Sequence, residues 1–148
     1  MLINNQADIN KCRYTGGGSP LYIACQEGHT EVVQMLINNK ADINKCRDTG
    51  ASPLFIACQK GHTEVVQMLI NNKADINKCG NDGESPLLYA CQNGHTEVVQ
   101  MLINNKADIN KCDCNIKWEG LTPLDIARRE NHTDIVHLLQ KNRNIKIH

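Results

Sequence analysis

His29, His62, His95 and His132 are the residues most suggestive of chemistry, and they recur at intervals of 33, 33 and 37 residues. Four imidazoles could in principle hold a metal, but its nitrogen ligands must lie ~2.0–2.1 Å from one ion. Units stacked one helix diameter apart, ~10 Å, keep equivalent side chains too far apart for that, so corner packing is the expected role. The eight cysteines behave alike: Cys12, Cys46, Cys79 and Cys112 form one column, Cys25, Cys58 and Cys91 a second, and Cys114 stands outside both. A disulfide needs Cα atoms within ~7 Å, so cysteines of one column cannot pair, and reduced structural thiols are expected. Cys112-Asp113-Cys114 lacks the nearby Cys-x-x-Cys or paired His that a zinc site requires. Gly16 to Gly18 precede a Ser-Pro pair without the Lys of a phosphate loop. No Ser/His/Asp set stands apart from the repeat columns. The chemistry points to no enzyme, no cofactor and no metal. Asn131-His132-Thr133 is a glycosylation triplet, expected to be unused because Met1 is not followed by a secretory leader and the thiols are many.

These columns exist because GHTEVVQMLINNKADINKC, Gly28 to Cys46, recurs letter for letter at Gly61 to Cys79 and Gly94 to Cys112. A fixed period of this length marks an array of one small unit. The chain has 148 residues, 41% of them hydrophobic, with 16 basic and 16 acidic residues interspersed, so a basic nucleic-acid face is not expected. Apolar runs are too short to span a bilayer. Cytoplasm is the expected compartment.

The elements follow from local signals. Ser19-Pro20 starts a helix, the hydroxyl accepting a backbone N–H and the proline sitting at the first helical position. Leu21 to Gln26 give about two turns, and Gly28 supplies a left-handed stop. Small Ala24 and Cys25 let a second helix approach. Thr30 is read as the cap of that second helix, which runs to about Asn38. Its Val32, Val33, Met35, Leu36 and Ile37 cover an arc of roughly 200°, against little more than 100° for a surface helix, so its own partner and both neighbours must cover it. Burial within one unit cannot offset the entropy of ordering it, so units need their neighbours. Arg47 to Gly50 and Gly80 to Gly83 read as turns before Ser52-Pro53 and Ser85-Pro86. Met1 to Asn10 repeats Met35 to Asn44 with Gln6 for Lys40, so the chain opens inside a unit. In the last unit Arg128 and Arg129 replace the Cys-Gln of earlier copies, as expected of a unit that closes a stack.

Ser19-Pro20-Leu21-Tyr22, Gly28-His29, Glu31-Val32-Val33 and Ala41-Asp42-Ile43-Asn44 together resemble the ankyrin repeat, over nearly the whole chain. The resemblance implies an all-α fold: an ankyrin-repeat solenoid of stacked antiparallel helix pairs with projecting β-turn fingers. Residues 1–148 then form a single domain: 1–12 the C-terminal part of a truncated repeat, 13–46, 47–79 and 80–112 three repeats, and 113–148 a capping repeat with a lengthened loop. Three departures stand out. The family His after Pro-Leu is Tyr22, Phe55, Leu88 and Asp125 here; the turn Asp is Arg13, Arg47 and Gly80; and the Gly ending the second helix is Lys40, Lys73 and Lys106. A Lys held at positive φ there is strained.

The family's fingers and first helices form a concave surface that binds other proteins, and the copies differ in those same places. The expected partner contacts are Tyr14, Thr15, Tyr22, Gln26, Glu27, Asp48, Thr49, Ala51, Phe55, Gln59, Lys60, Asn81, Asp82, Glu84, Leu88, Gln92, Asn93, Trp118 and Glu119. Tyr22, Phe55 and Trp118 are large enough to anchor an interface, although Tyr22 and Phe55 could instead pack against the neighbouring turn. The preferred reading is a protein-binding module, monomeric and part of a longer array, with a protein partner and neither nucleic acid nor membrane. The alternative is a structural spacer or elastic segment of a longer array or multidomain protein. The resemblance also implies a pattern met by asparaginyl hydroxylase at Asn44, Asn77 and Asn110; the other reading is that these side chains tie the loop by backbone hydrogen bonds.

Overall fold

The computed structural model describes residues 8–12, 16–110 and 120–146, with side chains through 143. Among these residues there are eight helices and no strand: α1 (Pro20–Glu27), α2 (Thr30–Asn38), α3 (Pro53–Lys60), α4 (Thr63–Asn71), α5 (Pro86–Gln92), α6 (Thr96–Asn104), α7 (Pro123–Arg129) and α8 (Thr133–Lys146). They form four helix pairs in a stack. Within a pair α1 packs on α2, α3 on α4, α5 on α6 and α7 on α8; between pairs, α1, α3, α5 and α7 form one row and the second helices another. The first helices pack more closely on each other than the second helices do.

Each first helix starts as its sequence predicts. The Ser19, Ser52 and Ser85 hydroxyls accept the backbone N–H of Tyr22, Phe55 and Leu88 at 3.2, 3.0 and 3.1 Å. Gly28 and Gly61 end α1 and α3 at φ 72° and 74°. Ala24, Ala57, Ala90 and Ala127 are buried along the row together with Cys25, Cys58 and Cys91, and their small size permits the close approach.

The start of each second helix differs from expectation. Thr30 is the first residue of α2 rather than its cap; His29 takes the cap position with no side-chain capping bond, and its carbonyl accepts Val33 N–H at 2.9 Å. The left-handed Gly28 turns the chain so sharply that the next residue already joins the helix by its carbonyl, and Thr30 falls inside. At the far end, Ala41 N–H reaches Leu36 O at 3.0 Å and Lys40 N–H reaches Ile37 O at 3.0 Å, the bond pair of a Schellman stop. Lys40, Lys73 and Lys106 accordingly sit at φ 65°, 66° and 67°.

Val33, Leu36, Val66, Leu69, Val99 and Leu102 are buried, while Met35, Met68 and Met101 remain half-buried. Neighbours thus cover less of each second helix than its apolar arc predicts, in keeping with the looser packing of that row. No helix among the described residues is long and apolar enough to cross a membrane.

Candidate functional site

The turns between pairs are closed by their own backbone. Gly50 N–H donates to Arg47 O at 2.9 Å and Arg47 N–H to Ala51 O at 3.1 Å, and the next copy repeats this with Gly83 to Gly80 at 3.0 Å and Gly80 to Glu84 at 2.9 Å. Gly50 and Gly83, at φ 81° and 83°, supply the left-handed residue such a turn needs. Successive turns are also tied together: Asp48 N–H donates to Gly16 O at 3.3 Å, Asn81 N–H to Thr49 O at 2.8 Å, and Asn81 Nδ2 to Asp48 O at 2.6 Å. The turns therefore form one hydrogen-bonded row.

A second ladder runs along the far ends of the first helices. Nε2 of His62, His95 and His132 lies 3.0, 3.0 and 2.9 Å from the carbonyl oxygens of Gln26, Gln59 and Gln92. Asn93 Nδ2 adds a bond to Gln59 O at 3.0 Å. A third ladder ties the loops after the second helices, where Asn10, Asn44 and Asn77 Oδ1 accept Asp42, Asp75 and Asp108 N–H at 2.8, 3.0 and 2.9 Å. Asn44 and Asn77 thus hold the loops by backbone hydrogen bonds. Among the described residues no group of three or more His, Cys, Asp or Glu side chains is arranged to hold a metal ion.

The expected contacts divide in three. Glu27, Asp48, Thr49, Lys60, Asn81, Asp82 and Asn93 are exposed, and Gln26, Gln59 and Gln92 are half-buried. Tyr22, Phe55 and Leu88, expected on the contact surface, are instead core residues at 3%, 5% and 1% exposure, and Ala51 and Glu84 are buried with them. Tyr14, Thr15, Trp118 and Glu119 lie outside the described residues.

The reason for this correction is geometric. The residue after Ser-Pro-Leu points along the row of first helices, where the next turn covers it. The Arg47 guanidinium stands 5.5 Å from the Tyr22 ring centroid, and Phe55 meets Tyr89 edge-on at 5.2 Å. Burial raises the Tyr22 phenol above its ordinary value, and a hydrogen bond with the Arg47 side chain opposes that rise. A Cβ at Gly18 would collide with the Tyr22 ring, so the extra glycine of the first turn makes room for the tyrosine.

Glu84, where the previous copy has Ala51, folds its carboxylate over the side-chain-free Gly80; its Oε2 is buried without a hydrogen-bond partner among the described residues. Among the described residues the variable, exposed and charged side chains that make no inter-unit hydrogen bond are Glu27, Asp48, Lys60 and Asp82. They carry three negative charges and one positive along the turn row and first-helix ends.

The family model described as ankyrin repeats, three copies, matches residues 1–79 and again 72–148 of the chain. No curated protein matches it.

Proposed function

Given that the chain belongs to the ankyrin repeat family, whose members generally serve as protein–protein interaction modules, we propose that it is a non-catalytic module that binds a protein partner through its turn row and the ends of its first helices. The observation that carries this reading is where the copies differ. The second helix and following loop are identical in three copies, whereas Glu27, Lys60 and Asn93, and Asp48, Thr49, Asn81 and Asp82, differ from copy to copy and are exposed. The closer packing of the first helices supports the same face, since a stack whose one row is tighter bends toward that row.

A second reading, a spacer within a longer array, is favoured by the burial of Tyr22 and Phe55, which removes two of the three aromatic anchors from the surface. The two readings part in one experiment. Glu27, Asp48, Lys60 and Asp82 are replaced together by Ala, choosing side chains that leave the inter-unit ladders intact. The module reading expects loss of a specific partner in affinity capture with mass spectrometry while the thermal melt stays nearly unchanged. Capture that persists moves the contact elsewhere, and an array that captures nothing specific in either form supports the spacer.

A further inference from the structure

Asn93-Gly94 is the single Asn-Gly pair in the sequence, and the same place reads Glu27-Gly28 and Lys60-Gly61 in the two earlier copies. Such a pair carries a chemistry of its own. With no side chain on the following residue to obstruct it, the Gly94 amide nitrogen attacks the side-chain carbonyl carbon of Asn93. The N–Cγ bond forms, the Cγ–Nδ2 bond breaks, and ammonia leaves carrying the proton of the Gly94 amide. Water then opens the five-membered imide at one carbonyl or the other, giving aspartate or isoaspartate. Neither an oxidant nor a reductant is needed.

The folded stack keeps the reacting atoms apart. Asn93 ends α5 at ψ 1°, so the Gly94 nitrogen lies eclipsed with Asn93's own backbone nitrogen, whereas ring closure needs it on the Cβ side. The leaving amide is engaged: Asn93 Nδ2 donates to Gln59 O of the second pair at 3.0 Å, an oxygen that also lies 3.0 Å from His95 Nε2. So is the nucleophile, because Gly94 N–H donates to Cys91 O at 3.4 Å and the next amide, His95 N–H, to Ala90 O at 3.0 Å. From the other side the His132 ring of the fourth pair lies on Gly94, where a Cβ would come within 2.7 Å of it. Asn93 is exposed, so water reaches it, yet it is held by the pair before and Gly94 by the pair after.

We propose that Asn93-Gly94 is a latent modification site, shielded while the second, third and fourth pairs are stacked and converted to aspartate or isoaspartate when the stack parts there. The change runs one way. An aspartate puts a carboxylate oxygen where Nδ2 now stands, so an acceptor faces the Gln59 carbonyl and the bond between the pairs is lost. An isoaspartate lengthens the main chain by one carbon inside the turn that meets the Cys91 and Ala90 carbonyls. Either product weakens the junction that shielded the site, so a stack once modified opens there more readily. The inference needs no partner and stands apart from the partner-binding reading.

The test incubates the full chain at mildly alkaline pH, in buffer and in concentrated guanidinium, while peptide mass spectrometry follows the conversion of Asn93. Conversion is expected to be on the order of tenfold or more faster in guanidinium. His132→Ala, which removes the ring lying on Gly94, is expected to speed conversion in buffer by roughly threefold or more. His62→Ala, at the junction between the first and second pairs, is expected to leave it near the native rate. Asn93→Asp is expected to melt below Asn93→Lys, which carries the residue of the second copy and brings no acceptor to the Gln59 carbonyl. Equal conversion in buffer and guanidinium, or His62→Ala speeding it as much as His132→Ala, overturns the shielding by the neighbouring pairs. An Asn93→Asp melt no lower than that of Asn93→Lys overturns the loss of the junction.

Discussion

Nε2 of His62 stands 3.0 Å from the carbonyl oxygen of Gln26, a residue of the preceding helix pair, and the ring lies against Gly28 of that same pair. A carbonyl oxygen only accepts, so Nε2 is a nitrogen that carries a proton. The contact joins two units that are otherwise joined by apolar packing and the turn and loop ladders. Replacing His62 by Ala leaves that carbonyl without its partner and is expected to lower stability by about 1–3 kcal/mol. His29→Ala is expected to cost much less, because His29 is exposed. Urea denaturation of both variants checks the pair, and equal losses would place the effect inside each unit rather than between units.

Lys73 occupies the left-handed position after α4 at φ 66°, held there by Ala74 N–H bonding to Leu69 O at 2.9 Å and Lys73 N–H to Ile70 O at 3.0 Å. A side chain at that φ is strained, and glycine removes the strain without touching either bond. Lys73→Gly is therefore expected to raise stability by ~0.5–1 kcal/mol. A denaturation midpoint that falls would show that the Lys73 stem contributes packing larger than the backbone strain.

Asp125 closes a reciprocal cap on α7. Its carboxylate accepts Thr122 N–H at 3.0 Å and the Thr122 hydroxyl at 2.9 Å, while its own N–H donates back to Thr122 Oγ1 at 3.2 Å. The Thr122 backbone bond, chiefly, holds this carboxyl below its ordinary value, with Arg128 and Arg143 adding to the effect. A carboxyl depressed in the folded state contributes its full stability above the unfolded value of ~3.9 and loses it as pH falls through the lower folded value. Asp125→Ala is expected to cost about 0.5–1.5 kcal/mol at pH 7, with the gap between variant and native chain narrowing below about pH 4. A gap of the same size at pH 3 and pH 7 would assign the loss to packing.

The period, the Ser-Pro helix starts, the glycine stops and the strained lysines were all legible in the sequence, because each depends on contacts within a few residues. What one unit does for its neighbour was not. Tyr22, Phe55 and Leu88 vary between copies, and variation suggested exposure. They vary inside the core instead, where size is balanced across units: Gly18 beside Tyr22, Ala51 at the equivalent place before Phe55, and Tyr89 one residue after Leu88, against the Phe55 ring. The histidines were placed at the corners by sequence, yet their bonds to Gln26, Gln59 and Gln92 needed the register between pairs.

The cysteine columns should separate by reactivity. Cys58 lies in α3, which is packed between α1 and α5, and burial raises its thiol far above the ordinary range; burial likewise raises Cys91, and pushes Cys25 up to about 12. The thiolate is the form that reacts, so these three offer almost none of it at pH 8 and wait for the helices to part. Cys46 and Cys79 sit half-buried in the loops, their Sγ atoms 3.3 and 3.4 Å from the Asn44 and Asn77 carbonyl oxygens. Iodoacetamide in the native state is expected to modify Cys46 and Cys79 on the order of 100-fold faster than Cys58 and Cys91, the difference vanishing in concentrated guanidinium. Peptide mass spectrometry over a time course reads both rates. Cys58 labelled as fast as Cys79 would mean that α3 opens as readily as a surface loop, which a helix enclosed on both sides by its neighbours cannot do.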